Sequence, residues 1–403
     1  MRISTNTMYD LGVAGIQQQT ADLIKTQQQV SSGRRILSPS DDPVASARVL
    51  EVTQSQSLNT QYDTNTGSAT SSLGLEDSIL SSVGNLIQDV RTSALQAANT
   101  PLTDKDRASI AMDLRGRYQE LLGLANSTDG NGQYMLSGYK GATKPFVETT
   151  LGNVTYQGDQ GQRLIQISPS RQIPVSDSGA SIFQQIKNGN GTIVAMATAA
   201  NTGTGVIDPA TVSNLANPNL LDNVSITFTS ATTYDVTDAT TSTTLATGVT
   251  FTPGGSISYN GWSTNVNGSP LAGDKFTISP SSNVDIFKTL GDLITQLETP
   301  VQGGGAGATA KLANNINTAL QNFDQSLQNV LTVRASVGAR MKETDSVKST
   351  GQDLQLQYQQ TISQLQDLDY AKAITDLTRQ QTTLEAAQKS FLKVQGLSLF
   401  NFM

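Results

Sequence analysis

The chain has 403 residues with 26 Lys and Arg against 33 Asp and Glu, a formal net charge of −7, so it lacks the basic footprint that nucleic acid binding requires. Histidine and cysteine are both absent, which removes disulfides, thiolate nucleophiles, Cys/His zinc sites and every histidine-based proton relay. Only 15% of residues are charged, leaving the polar surface to Thr, Ser, Asn and Gln.

The first ten residues hold no apolar stretch of the kind a secretory signal needs, and no run of about 18 apolar residues occurs, so neither signal-peptide export nor membrane insertion is expected. Residues 10 to 37 carry Ile16, Leu23, Val30 and Leu37 at a spacing of seven, one narrow apolar stripe on a partner-seeking helix. Between them lie Gln17, Gln18, Gln19, Gln27, Gln28 and Gln29, which favour helix but bring almost no apolar area. The period breaks at Ser38-Pro39-Ser40-Asp41-Asp42-Pro43, where Asp42 suits a cap and Pro43 the first turn of a second helix running to about Tyr62.

A third helix is expected from Leu73 to Ala98, with Ile79, Val83, Leu86 and Val90 alternating by four and three and Leu80, Ile87 and Ala94 widening the stripe. After Asn99-Thr100-Pro101, Thr103 with Asp106 reads as a capping box opening a fourth helix through Ile110, Leu114, Leu121 and Leu124, ended by Asp129-Gly130-Asn131-Gly132. From about Gly138 to Asp285 the pattern changes to short runs: Val154 to Tyr156, Leu164 to Ile167, Val224 to Phe228, Gly248 to Phe251, Ile257 to Tyr259 and Lys275 to Ile278. Asn260-Gly261 marks a hairpin before the single tryptophan, Trp262, and the 12 threonines between 221 and 260 favour strands with one solvated face.

Gly303 to Gly307 reads as a flexible loop. Beyond it, Ile316, Leu320, Phe323, Leu327, Val330, Val337 and Met341 share one helical register interrupted only by Arg334. The last helix keeps a heptad through Tyr370, Ala373, Leu377, Leu384, Ala387, Phe391 and Val394, with Gln380 at one seam position, and ends in the apolar tail of Leu397, Leu399, Phe400, Phe402 and Met403.

The expected fold is therefore mainly α with an inserted β domain: a terminal coiled coil (1–42 plus 355–403) with both chain ends paired at one pole, a helical-bundle rod (43–140 plus 285–354) and a β-rich outer domain (141–284). Burying a Leu or Phe contributes about 1.5 to 3 kcal/mol, whereas ordering the backbone costs about 1 to 2 kcal/mol per residue. A terminal pair with Gln in its seam is expected to be marginal alone and to order when neighbouring copies surround it.

Ser31-Ser32-Gly33-Arg34-Arg35-Ile36-Leu37-Ser38-Pro39-Ser40-Asp41-Asp42-Pro43 resembles the N-terminal signature of the bacterial flagellin and hook-associated protein family. Gly132-Gln133-Tyr134-Met135-Leu136-Ser137-Gly138-Tyr139-Lys140, Tyr156-Gln157-Gly158-Asp159 and the tail Leu397 to Phe402 are similar to the hook–filament junction members of that family, while residues 180 to 280 show only short matches such as Gly273 to Ile278. The resemblance implies a non-catalytic structural subunit of the extracellular flagellum. Such a subunit is exported unfolded by the flagellar type III apparatus, escorted by a cytoplasmic chaperone, and assembled with sister copies as a ring between the first hook-associated protein and flagellin. The subunit-interface residues are then Ile16, Leu23, Val30, Leu37, Tyr370, Leu377, Leu384, Phe391, Leu397, Leu399, Phe400 and Phe402.

Competing chemistries are weak. Asp41-Asp42 before Pro43 suits capping better than acid-base work, and Asp129 to Gly132 lacks the alternating acids and closing Glu of a calcium loop. No Lys-Ser or Lys-Thr follows Gly303 to Gly307, so it is no phosphate cradle. Neither catalytic residues, metal ligands nor cofactor sites are expected. A flagellin-like filament subunit and a sugar-binding insert using Trp262 and Tyr259 remain as alternatives.

Overall fold

The computed structural model describes residues 5–99 and 102–400, with side chains described over 7–99 and 102–394. Two long helices open the chain, α1 (Thr5–Ser32) and α2 (Pro43–Ala97), followed by α3 (Asp104–Ala125). Then come two hairpins, β1 (Phe146–Thr150) with β2 (Asn153–Tyr156) and β3 (Leu164–Ser168) with β4 (Arg171–Pro174), and the short α4 (Gly179–Phe183). The β-rich stretch comprises β5 (Ile186–Lys187), β6 (Ile193–Ala197), β7 (Val206–Ile207), β8 (Thr211–Val212), β9 (Val224–Ser230), β10 (Thr233–Asp238), β11 (Thr243–Thr250), β12 (Ser256–Tyr259), β13 (Trp262–Asn267), β14 (Lys275–Pro280) and β15 (Asn283–Val284). The chain returns through α5 (Ile286–Glu298), α6 (Gly305–Gln366) and α7 (Tyr370–Phe400).

Helical ends framing a β-rich insert match the fold class expected from the sequence, and three local details differ. The second and third expected helices are one, α2, because the weak stretch between them stays helical. There the Thr64, Thr70 and Ser71 hydroxyls donate to carbonyls four residues back, and Ala69 and Leu73 are fully buried, so tertiary packing overrides low propensity. The glycine run is only partly loop, since α6 starts at Gly305. Leu37 falls outside α1, because Gly33 at φ 71° ends the helix at Ser32, its amide donating to Gln29 at 2.8 Å.

The contacts divide the chain into a terminal unit, up to Thr64 and from Val347, and a central unit, Asn65–Ser346. The central unit has two apolar cores. One is helical: Leu80, Val83, Ile87 and Val90 of α2 meet Leu114 and Tyr118 of α3, Phe287 and Leu290 of α5 and Ile316, Phe323 and Val330 of α6. Phe146, Phe183 and Phe287 form a ring cluster inside it, with centroids 5.4 to 5.6 Å apart. Thr103 and Asp106 form a full capping box on α3, and Asp285 caps α5 through the Phe287 amide at 2.7 Å.

The second core lies in the insert, beneath the antiparallel sheet β11-β10-β9-β14-β6 and the group β12-β13-β7 with β8. Alternation supplies it: Tyr234, Val236 and Asp238 point inward along β10, and Trp262, Thr264 and Val266 along β13. Asn260 at φ 46° and Gly261 at φ 82° make the tight turn joining β12 to β13.

Candidate functional site

Composition already leaves little for catalysis, and no group of three or more acidic ligands able to hold a metal ion occurs among the described residues. Asp41 and Asp42 are structural. Asp41 accepts from the Leu37 amide at 3.0 Å and the Ser38 amide at 2.9 Å and lies 2.7 Å from Lys25, whose ammonium, followed by those two amides, holds the carboxyl far below its usual range. Asp42 caps α2 through the Ala45 amide at 3.0 Å, and this bond chiefly lowers its pKa. Asp129 likewise closes a turn, accepting from the Asn131 and Gln133 amides. Trp262 is fully buried, so its faces are not open to a sugar.

Two of the motifs that carry the family resemblance form joints between separate segments of the chain. Around Gly33, the Arg35 amide donates to the Gln366 carbonyl at 2.7 Å and the Leu368 amide to the Gly33 carbonyl at 3.0 Å, so the loop after α1 is stitched to the break between α6 and α7. The Arg35 guanidinium adds a bond to the Leu365 carbonyl at 2.8 Å and lies 3.3 Å from Asp42. Ile36, 8% exposed, is the buried apolar residue of this segment. In the central unit, the Tyr156 hydroxyl donates to the Leu136 carbonyl at 2.9 Å or the Asp159 carbonyl at 2.8 Å, and Asp159 accepts from the Tyr139 and Gly161 amides at 3.0 and 2.8 Å. Residues 132–140 and 156–159 thus lock together.

The surface best suited to partners is the pair formed by α1 and α7. Tyr9 packs on Phe391 with centroids 5.2 Å apart, and Gly33 sits at Tyr370, so the helices run antiparallel. Ile16, Leu23, Val30, Leu377, Leu384 and Phe391 are half-buried here, whereas Leu37 and Tyr370 are exposed. Leu397, Leu399, Phe400 and Phe402 lie outside the residues whose side chains are described. Further large apolar side chains, Met8, Leu11, Ile24, Ile374 and Leu392, are also exposed on these helices, and the stripe criterion missed them because they lie off the heptad, while Val394, which lies on it, is exposed too.

A second row on α1 was legible but overlooked. Gly12, Gln19, Thr26 and Gly33 also repeat every seven residues, three past each stripe position from Tyr9 onward. A Cβ on Gly12 would lie 2.9 Å from the Phe391 ring, and one on Gly33 would lie 2.8 Å from the Tyr370 hydroxyl, so each glycine makes room for an aromatic of α7. The row therefore brings close approach without apolar area. Among the described residues of the terminal unit, only Thr26, Ile36, Ala45 and Ala373 are buried.

Sequence patterning also missed a charged cluster in the central unit. Glu76 of α2 is fully buried, accepting from the Asp177 amide at 2.8 Å through one oxygen and nothing through the other. Asp177 pairs with Arg340 of α6 and accepts from Gln162 at 2.6 Å. Burial, then the neighbouring Asp177 charge, pushes Glu76 up to about 7, with Arg340 and Arg163 opposing. Its partners are all backbone or fixed side chains, which suits a packing joint.

The N-terminal helical region of bacterial flagellin matches residues 3–141, and the C-terminal helical region of bacterial flagellin matches residues 320–403. Flagellar hook-associated protein 3 of Escherichia coli is 32% identical over 402 residues, 99% of each chain. The crystal structure of flagellar hook associated protein-3 from Legionella pneumophila is 30% identical, covers 79% of this chain and 98% of that one, and superposes with a TM-score of 0.73. Flagellin B of Helicobacter pylori is 31% identical over only 165 residues, 40% of this chain and 31% of its own length.

Proposed function

The chain belongs to the flagellar hook-associated protein 3 family, and from that premise we propose that it is a structural subunit joining the flagellar hook to the filament, with no enzymatic role. It works outside the cell, in contact with the first hook-associated protein on one side and flagellin on the other, as a ring of sister copies. Export is by the flagellar type III apparatus, in an unfolded state handed over by a cytoplasmic chaperone. A chain with no cysteine supports that route, since no disulfide has to be opened for passage.

Residues 1–42 plus 355–403, within the terminal unit, are the coiled-coil assembly domain, 43–140 plus 285–354 the helical rod and 141–284 the outer domain. The observation that carries this reading is the thin core of the terminal unit: four buried side chains among the described residues, two of them alanine, beneath a half-exposed apolar stripe. Neighbouring copies supply the missing contacts to Ile16, Leu23, Val30, Leu37, Tyr370, Leu377, Leu384, Phe391 and the tail Leu397, Leu399, Phe400 and Phe402. Both chain ends then lie at one pole, ordered as a coiled coil only in the ring.

A deletion strain tests the role: hooks remain, filaments are lost and flagellin appears in the medium. Complementation with Leu384→Asp, or with residues 397–403 removed, is expected to reproduce that phenotype, and normal swimming would overturn the reading. A flagellin-like filament subunit would instead elongate into long filaments when seeded. The full-length match to the junction relative, against a partial match to flagellin B, favours the adaptor.

A further inference from the structure

Asparagine is followed directly by glycine five times, at Asn131, Asn188, Asn190, Asn260 and Asn267. This dipeptide is the one most prone to lose its amide, because glycine puts no side chain between its own nitrogen and the neighbouring carboxamide carbon. Folding treats the five very differently. Asn188 is 8% exposed, and its oxygen accepts from the Ser282 amide at 2.9 Å and the Ser281 hydroxyl at 3.1 Å. The Asn190 oxygen accepts from the Thr192 and Ile193 amides, both at 2.9 Å, while its nitrogen donates to the Ala210 carbonyl at 3.0 Å. Asn267 donates to both Asp208 carboxylate oxygens at 3.1 Å. Asn260 reaches Asp238 at 3.4 Å and lies in the tight turn between the paired strands β12 and β13. Asn131 is exposed, and its carboxamide has no hydrogen-bond partner among the described residues. The glycines divide in the same way. A Cβ on Gly189, Gly261 or Gly268 would collide with the carbonyl oxygen of Ile193, Asn214 or Thr204, and one on Gly191 would touch Gln325, whereas one on Gly132 would meet nothing within 4 Å.

We propose that Asn131 is the site at which the folded chain deamidates spontaneously, and that the fold shields the other four. The Gly132 nitrogen attacks the carbonyl carbon of the Asn131 side chain and closes a five-membered succinimide. The carboxamide C–N bond breaks, and its nitrogen leaves as ammonia with the proton that Gly132 gives up. Water then opens the ring at either carbonyl, leaving aspartate or isoaspartate, so one water enters for each ammonia lost. Ring closure requires the carboxamide and the peptide after it to turn towards each other. At Asn131 only the bonds of a local turn resist this: the Gly132 amide donates to the Asp129 carbonyl at 3.0 Å, and Asp129 Oδ1 accepts from the Asn131 and Gln133 amides at 2.8 and 2.9 Å. At the other four positions the turn must first come away from neighbouring segments. The product carries a new negative charge and, as isoaspartate, an extra backbone methylene, next to residues 132–140, which form one half of the joint with 156–159. This stands apart from the adaptor reading, which needs no covalent change.

The test is peptide mapping by mass spectrometry of the full-length chain, sampled over time while it is kept warm at mildly alkaline pH. Conversion at Asn131 is expected to be at least about tenfold faster than at Asn188, Asn190 or Asn267, each of which must first give up two or more hydrogen bonds, with Asn260 in between. In urea, where the fold is gone, the five rates are expected to lie within about threefold of one another. Any of the other four converting as fast as Asn131 in the native chain would overturn the proposal. So would a gap that persists undiminished in urea, since it would then owe nothing to folding. Asn131→Gln, at an exposed side chain with no bond to lose, is expected to remove the fast phase of ammonia release, and a fast phase that survives in this variant would place the reactive amide elsewhere.

Discussion

The terminal and central units solve the same problem, packing long helices poor in charge, with very different amounts of apolar contact. In the central unit Leu80, Val83, Ile87, Phe287, Ile294, Ile316 and Phe323 are nearly or completely removed from water, and rings stack through the core. In the terminal unit, glycine, glutamine and threonine occupy half of the α1 seam, and no large side chain is fully buried among the described residues. Charge follows the same division. The sequence places 16 basic and 22 acidic residues in the central unit but a near-balanced 10 and 11 in the terminal unit, which suits close packing of identical surfaces. Among the described residues, one unit rests on large, fully buried apolar side chains and the other does not.

Mutation can widen or close that gap. The largest effect is expected from Phe287→Ala, which hollows the ring cluster and should cost about 3 to 5 kcal/mol in denaturant unfolding. Trp262, fully buried in the central unit, is the fluorescence reporter for it.

Next is the buried carboxyl. Because the folded state raises Glu76 to about 7, folding holds a proton that the unfolded chain has already released above pH 4.5. The stability that this proton supplies is complete below pH 4.5 and lost as pH rises through 7, by roughly 1 to 3 kcal/mol. Glu76→Gln should flatten that fall. Asp104, Asp106 and Glu298, all lowered in the folded state, give the opposite slope in a separate window, below about pH 4. An unfolding midpoint in the variant that still drops between pH 4.5 and 7 would exclude Glu76 as the source.

Gly33→Ala meets both a left-handed backbone and the Tyr370 hydroxyl, so a loss of about 1 to 2 kcal/mol is expected. It should show as faster hydrogen exchange in α1 and α7 with an unchanged Trp262 transition. Smallest is Leu384→Ala, expected to cost less than about 1 kcal/mol in the isolated chain because that side chain is only half-buried there. A loss as large as that of Phe287→Ala would mean that the two units do not differ in the way described.

Much of this architecture was readable from residue order. The α2 stripe from Ile79 to Val90 is buried as its alternation implied, the Thr103–Asp106 box caps α3, and Asn260-Gly261 turns a hairpin. Arg334, the one charge interrupting the α6 register, finds Asp77 at 2.9 Å. What patterning could not reach was long-range. Thr66 and Ala69 look like a break yet are buried, because their surroundings come from elsewhere in the fold. Glu76 and Arg340, 264 positions apart, have no local signal at all. The seam residues Gly12, Gln19 and Thr26 carried a periodic signal, hidden because periodicity is usually sought among apolar residues.

The stitch between residues 33–36 and 365–368 joins positions separated by some 330 residues, as in the bond from Arg35 to the Leu365 carbonyl. Loop closure on that scale makes the contact a late one. In any delivery that releases the leading end first, α1 has nothing to lean on until nearly the whole polypeptide has followed it. Arrival of the trailing end is then the timing signal, and a truncated molecule would be unable to latch itself into place.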